Sequence, residues 1–426
     1  MVKKLLSKKP KKIKSVINED VVTEILLRLP TKSIFKFKST SKTWLKIIND
    51  PWFANSYKSS NDLPVLAGLF NVNYNYELKF SPVNHHLKSP SLNHLPLDLK
   101  DLSVTDMLSS NGFLLLCTSD EEKIVYNPVT RRRLMIPKMK RNNEWYHAFG
   151  LIHENDNHIK VVFAYKLASD DIQTALEIHR FTRDNKFVDR DELPQHWSDL
   201  IVKWQCRTKD IEFRVYCSKK KEWNSKILVS TFPRHVCFEP QQQAGVSIGG
   251  DLYWMTLDGS VLDYNSKREA AELISAPAAS EGLKAKSLHC SANGILVYCA
   301  CDRKTEEVVI WELIDRKIWA AKKRVQLHGV KHLHLEMILY VCHEMQAVFF
   351  QTRPKAVYRF GVSEEKLEVI CHLCLNVDQV TPYLMSPWPA ALIGDEAWPS
   401  SSSSPSENKN SGSKPRLLIH YNRIYE

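Results

Sequence analysis

The chain has 426 residues, 43% hydrophobic and 25% charged. That composition excludes a disordered or fibrous chain and fits an ordinary folded protein of two or three domains. The formal net charge is +11, but residues 1–14 hold seven lysines and no acid, leaving +4 for the rest. The basic excess belongs to a flexible tail, and nucleic acid is not an expected partner.

The tail, MVKKLLSKKPKKIK, has no apolar stretch of the kind a secretory signal needs. No run of 18 apolar residues follows, so no membrane span is expected. Ten scattered cysteines and the lack of any Asn-x-Ser/Thr acceptor fit a reducing compartment with free thiols. The lysine run also matches a nuclear-import pattern, which places the protein in the cytoplasm, the nucleus or both.

The first element is INEDVVTEILLRLPTKSIFKFKSTSKTWLKIINDPWF, Ile17 to Phe53. Asn18 suits a helix N-cap, and Glu19 and Asp20 oppose the positive end of the helix dipole. Val21, Ile25 and Leu29 then form one apolar stripe, and Val22, Leu26 and Leu29 a second beside it. Pro30 ends the helix. Thr31 can cap a second helix carrying Ile34, Phe35 and Phe37, and Ser41 a third with Trp44, Ile47 and Ile48. Three short helices in about forty residues are too few to bury two stripes in one core. Part of this surface is therefore expected to be covered by something else, either another protein or the remainder of the same chain.

In this stretch Glu24-Ile25-Leu26, Arg28-Leu29-Pro30, Lys32-Ser33, Ser41-Lys42 and Trp44 fall in order, with Pro51 and Phe53 closing it. The segment resembles an F-box of the plant form, although Ile17-Asn18 stands where Leu-Pro is usual and Ser39-Thr40 where Cys or Val precedes Ser-Lys. The resemblance implies docking on a Skp-type adaptor and, through it, on a cullin-based ubiquitin ligase. Its adaptor-binding residues would be Ile17, Asn18, Val21, Val22, Ile25, Leu26, Leu29, Pro30, Ile34, Phe35 and Phe37, with Trp44 inside the module's own core.

Beyond Tyr57 the helical period fades into short strand pairs joined by polar turns. Six hairpins align on Ile124, Ile178, Val215, Val261, Val309 and Val357, at intervals of 54, 37, 46, 48 and 48 residues. Strand repeats of 45–50 residues are the mark of propeller blades, and about six are expected. The short interval means a trimmed blade, or two hairpins sharing one. The order NGFLLLC, VYNPVTRRR, YHAFGL, RVYCSKKKEW and GVSIGGDLYWM also resembles the F-box-associated, kelch-like propeller region of plant F-box proteins. That resemblance implies a domain that holds a ubiquitination target.

The expected organisation is a tail at 1–14, an F-box at 15–58 and a β domain at 59–394. A Ser-rich disordered segment at 395–413 and a last strand at 414–426 complete it. The last strand is expected to pair with LAGLFNVNY and close the ring. The fold class is mainly β with a small α-helical N-terminal module.

No catalytic or metal-binding pattern in the sequence is complete. Gly245-Val246-Ser247-Ile248-Gly249 spells a nucleophile elbow, but a turn and a strand follow it where the chemistry needs a helix. Cys371 and Cys374 lie three apart on a strand, hence on opposite faces, and Cys299 and Cys301 sit in an apolar run. His332 and His334 have no third ligand. The triplets Arg131–Arg133 and Lys219–Lys221 read as solvated hairpin turns. No cofactor is expected and the chain is expected to be non-catalytic. A hydrolase built on Ser247, or an F-box scaffold acting outside any ligase, is the alternative.

Overall fold

The computed structural model describes residues 18–29, 31–50, 52–53, 56–57, 65–72, 77–83, 102–129, 132–139, 148–154, 158–166, 210–224, 228–232, 236–239, 242–302, 304–330, 333–343, 345–353, 356–373, 379–385 and 396–397. The chain divides into two units, Met1–Leu63 and Pro64–Glu426.

The first unit holds three helices, α1 (Glu19–Leu27), α2 (Thr31–Phe37) and α3 (Lys42–Asn49). Asn18 caps α1 as expected, its side-chain oxygen accepting the Asp20 N–H at 3.2 Å. Ser41 stands at the N-cap of α3 but makes no side-chain capping bond; only its carbonyl joins the helix, accepting the Leu45 N–H at 2.9 Å. Among the described residues of this unit the buried apolar ones are Val22, Leu26, Ile34, Ile48, Phe53 and Tyr57. Tyr57 donates its hydroxyl to the Leu29 carbonyl at 2.8 Å, meeting one of the open carbonyls at the end of α1. Phe53 stacks on Tyr57, and Phe37 stands edge-on to Trp44 at 4.8 Å.

The second unit opens with β1 (Val65–Val72) and β2 (Leu78–Pro82). Blade one is β3 (Val104–Ser110), β4 (Phe113–Thr118), β5 (Lys123–Asn127) and β6 (Arg132–Ile136). Blade two is β7 (Ala148–His153), β8 (Ile159–Lys166) and β9 (Asp210–Cys217), with its outer edge shared by β10 (Glu222–Trp223) and β11 (Leu228–Thr231). Blade three is β12 (Val246–Ile248), β13 (Asp251–Met255), β14 (Val261–Asn265) and β15 (Ala270–Ile274). Blade four is β16 (Lys284–Cys290), β17 (Leu296–Asp302), β18 (Glu307–Ile314) and β19 (Ile318–Gln326). Blade five is β20 (His334–Cys342), β21 (Ala347–Arg353), β22 (Ala356–Gly361) and β23 (Lys366–His372). β24 (Val380–Met385) then joins β1 antiparallel, so blade six runs β24-β1-β2. Its innermost strand comes from the far end of the chain and its next two from the start.

The innermost strands neighbour one another in the closed order β3, β7, β12, β16, β20, β24 and back to β3. The molecule's second unit is a six-bladed propeller. Between each pair of blades lies one apolar cluster, built by the period of two along a strand. In β17, Val297, Cys299 and Cys301 face blade five, while Leu296, Tyr298 and Ala300 face blade three. The sixth cluster, between blades six and one, packs Phe70 and Tyr383 against Leu114, Leu116 and Tyr126. Closure therefore rests on the same kind of contact as every other blade interface.

Several expectations shift. The hairpin aligned on Ile178 lies outside the described residues, between β8 and β9 of blade two, which explains the interval of 37. β1, the strand given to residues 414–426 as a partner, has both edges taken by β2 and β24. Residues 414–426 and most of 395–413 lie outside the described residues, but Glu396–Ala397 form β25 and pair with Arg133 and Arg132. Those two arginines belong to β6 and not to a turn, because Asn127 opposes Arg132 and the ladder has already begun there. Among the described residues Cys237 is disulfide-bonded, whereas seven other cysteines are free thiols.

Candidate functional site: an exposed helical stripe and a central channel

In α1 the two apolar stripes separate cleanly. Val22 and Leu26 are 4% and 0% exposed, while Val21 and Ile25 are each 50% exposed. Sequence alone put both stripes on the docking surface, together with Ile34; Val22, Leu26 and Ile34 instead fill the buried interior. Residues i and i+4 share a helix face, so a helix can turn one stripe inward only by turning its neighbour partly out. Asn18 is exposed and occupied in capping, and Leu29 and Phe37 are half-buried. Ile17, Pro30 and the side chain of Phe35 lie outside the described residues. Four of the nine exposed large hydrophobic side chains among the described residues, Val21, Ile25, Leu45 and Trp52, fall in this small unit. The apolar surplus read from the sequence is thus real, and it is carried by Val21 and Ile25 more than by their neighbours.

The second feature lies on the propeller axis. Each innermost strand is paired on one side only, leaving a row of backbone groups turned to the centre. Neighbouring groups meet many of them. Gln379 accepts the Met107 N–H at 2.8 Å and donates to the Met107 carbonyl at 2.7 Å, so its amide acts as one residue of a missing strand. Gln242 does the same for blade four, accepting the Leu288 N–H at 3.1 Å and donating to the Lys286 carbonyl. Phe149 of β7 donates to the Gln243 carbonyl, and its own carbonyl accepts from Gly245 N–H at 2.7 Å and from the Trp254 indole at 3.0 Å. His289 accepts the Val341 N–H on Nε2 at 3.4 Å.

These contacts leave a channel of about 290 Å³ lined by the inner strands and by Ala244–Gly245. Its polar lining includes Ser109, Ser247, Ser287, His289 and Thr381, and among the described residues Glu336 is the one charged side chain that lines it. Glu336 accepts from Gln351 at 3.0 Å. Apart from Ser247, read as a nucleophile candidate and set aside, none of these channel residues stands out in the sequence. Their only signal was that a mixed polar strand precedes each strongly apolar one, as AKSLHC precedes ILVYCAC.

The Gly-x-Ser-x-Gly run takes a structural role. A Cβ on Gly245 would lie 2.6 Å from the Trp254 indole nitrogen, so only glycine fits beneath that ring. Val246–Ile248 is a strand, and Gly249 and Gly250, at φ +61 and +95, turn it directly into β13. Ser247 is therefore on a hairpin, not on a strand-to-helix elbow. Cys299 and Cys301 are buried in the blade-four interface, and burial raises the Cys299 thiol. Cys371 is half-buried on β23, while Cys374 and His332 lie outside the described residues; His334 is exposed at the start of β20. Among the described residues no three His, Cys, Asp or Glu side chains gather as metal ligands, and no helix is long and apolar enough to cross a membrane.

Residues 15–55 match the F-box domain. A putative F-box/kelch-repeat protein of Arabidopsis thaliana is 30% identical over 149 residues, 35% of this chain and 39% of that protein. An F-box protein of the same plant is 36% identical over 125 residues, 29% of this chain and 33% of its own length. A putative F-box protein of that plant aligns over 88% of this chain and 96% of itself at 21% identity. In the first two of these matches the chain spans 33–39% of the relative's length. With the F-box match on its three helices and a six-bladed propeller after them, the chain carries an F-box domain and is similar to F-box proteins of Arabidopsis thaliana.

Proposed function

We propose that the protein is the substrate-recognition subunit of a Skp-cullin-F-box ubiquitin ligase. In this reading the helical unit binds a Skp-type adaptor, the adaptor links it to a cullin, and the propeller holds the protein to be ubiquitinated. The observation that carries it is the half-exposed Val21–Ile25 stripe on a helix inside the F-box match. An apolar stripe on a short amphipathic helix is the surface that helix-in-groove docking uses. The chemistry of ubiquitin transfer would belong to other subunits. This chain would raise the effective concentration of target lysines near them, an entropic contribution rather than bond chemistry.

The test is co-purification of the full-length chain with a Skp-type adaptor, compared with Ile25→Asp. Ile25 is half-exposed, so the substitution spares the interior that Val22 and Leu26 fill. Loss of the adaptor with unchanged helicity supports docking through this stripe. Undiminished binding by Ile25→Asp refutes it, and adaptor binding without cullin recruitment favours a scaffold acting outside the ligase.

A further inference from the structure

The outer strand of blade four breaks its ladder at one point. Between β18 and β19, Ile310 opposes Lys323 and Trp311 opposes Ala321, so Lys322 has no residue across from it. This is a β-bulge, two residues of one strand against one of the other. On a regular strand successive side chains point to opposite faces, and one of two adjacent lysines would turn toward blade three. The bulge cancels that alternation. Ile310 belongs to the cluster shared with blade five, and Lys322 and Lys323 both line a cleft of about 350 Å³ on that side. His343, just after β20 of blade five, and Asn293, in the turn after β16, line it too.

Lysines on an exposed outer strand ordinarily serve as solvated charge that discourages pairing with another sheet, a task that needs no common direction. Here both are aimed into one cleft, and their partners are few. Lys322 Nζ lies 3.2 Å from Glu312 Oε2, with the lysine side chain 59% exposed and the glutamate 15%. Lys323 is exposed, and its Nζ donates to the uncharged Gln346 Oε1 of blade five at 3.4 Å. An ammonium carries three N–H donors, so each lysine keeps donors to spare after its one partner among the described residues. Against these two positive charges the described lining sets a single carboxylate, that of Glu312.

The donor type decides what fits. A flat carboxylate is best matched by the fork of an arginine, whereas an ammonium is a compact point charge whose rotatable donors suit phosphate oxygens. Two of them side by side suit a group that carries several oxygens on one centre. We propose that the cleft between blades four and five binds a phosphate group, free or carried on a small organic molecule, between Lys322 and Lys323. This site stands apart from the helical stripe and does not depend on the ligase reading.

The probes are inorganic phosphate and phenyl phosphate, titrated with the full-length chain and read by phosphorus NMR line broadening. A salt concentration of about 0.15 M limits the reach of distant charges to about 8 Å. Both probes should bind, and Lys323→Gln should weaken them about three- to tenfold. Lys317→Gln is the control, because Lys317 lies in the same hairpin, paired with Glu272 at 3.2 Å, and its loss removes the same charge outside the cleft. It should leave binding unchanged. The N-terminal lysines are common to every variant, so the difference between the two substitutions reads the cleft and not the tail. Tighter binding of phenyl phosphate supports an organic phosphate as the ligand; equal or tighter binding of inorganic phosphate supports the free ion. The proposal is overturned if neither probe broadens with the wild-type chain, if Lys323→Gln binds both as wild type does, or if Lys317→Gln weakens them as much.

Discussion

Tyr383 is the residue on which ring closure can be measured. It sits in the middle of β24, is fully buried, and meets Phe70 of β1 edge-on with ring centroids 5.5 Å apart. Its hydroxyl donates to the Gly112 carbonyl of blade one at 3.1 Å, so one side chain packs within blade six and ties that blade to blade one across the ring's final interface. Tyr383→Ala removes the whole ring from a packed cluster and should cost about 3–5 kcal/mol. Tyr383→Phe keeps the packing and leaves the Gly112 carbonyl short of one donor, a loss of about 1 kcal/mol. A double-mutant cycle with Phe70→Leu should return a coupling of about 0.5–1.5 kcal/mol for the edge-on pair. Urea denaturation followed by tryptophan fluorescence reads all three as midpoint shifts at constant slope. If Tyr383→Ala lies within about 0.5 kcal/mol of wild type, β24 does not close the ring, and the six-bladed account of this chain is wrong.

Asp263 is 5% exposed with one carboxylate oxygen unpartnered, and burial, then the nearby Asp251, push it up to about 6. A carboxyl raised in the folded state favours folding at low pH, and that advantage is lost as pH climbs from the unfolded value near 4 through 6. Asp263→Asn should therefore be more stable than wild type above pH 6, by about 2–3 kcal/mol, with the gap closing near pH 4; a pH-independent difference in urea midpoint would contradict this. Gly245→Ala should cost about 1–3 kcal/mol in thermal or urea unfolding because the Trp254 indole must move. Ser247→Ala should change neither stability, beyond about 0.5 kcal/mol, nor any esterase background. Deleting residues 414–426 should leave the unfolding midpoint unchanged, since β1 already has two partners; a drop of several degrees would restore the C-terminal strand as a structural element.

The propeller was legible from its second and third strands. Ile124, Val215, Val261, Val309 and Val357 each fall in the third strand of a blade, and GFLLLC, IKVVFAY, GDLYWMTL, GILVYCA and AVFFQ supply the second. These strands are covered on both faces by neighbouring blades, so they read as unbroken apolar runs. Outer strands such as β19, IWAAKKRVQ, are mostly solvated, and inner ones such as β16, KAKSLHC, mix polar and apolar residues. Neither kind has a periodicity that stands out from a loop. The closing strand was misplaced for a related reason: VTPYLM is short and carries a proline, which ordinarily counts against a strand. Pro382 is tolerated where no ladder bond needs its missing N–H. In the helical unit the pattern showed two stripes, but only packing could say which one the interior would take.

The channel was invisible to sequence reading because of how a ring of blades satisfies its own backbone. Six inner strands each present an unpaired edge, and this chain answers with side-chain amides, an imidazole and a short loop drawn from adjacent parts of the ring. Gln379 and Met107 are far apart in sequence, as are His289 and Val341, so no local spacing announces either pair. A glutamine that completes an edge gives one donor and one acceptor to the fold, half of what its amide can offer. It follows that exchanging Gln242 or Gln379 should disturb the ring itself.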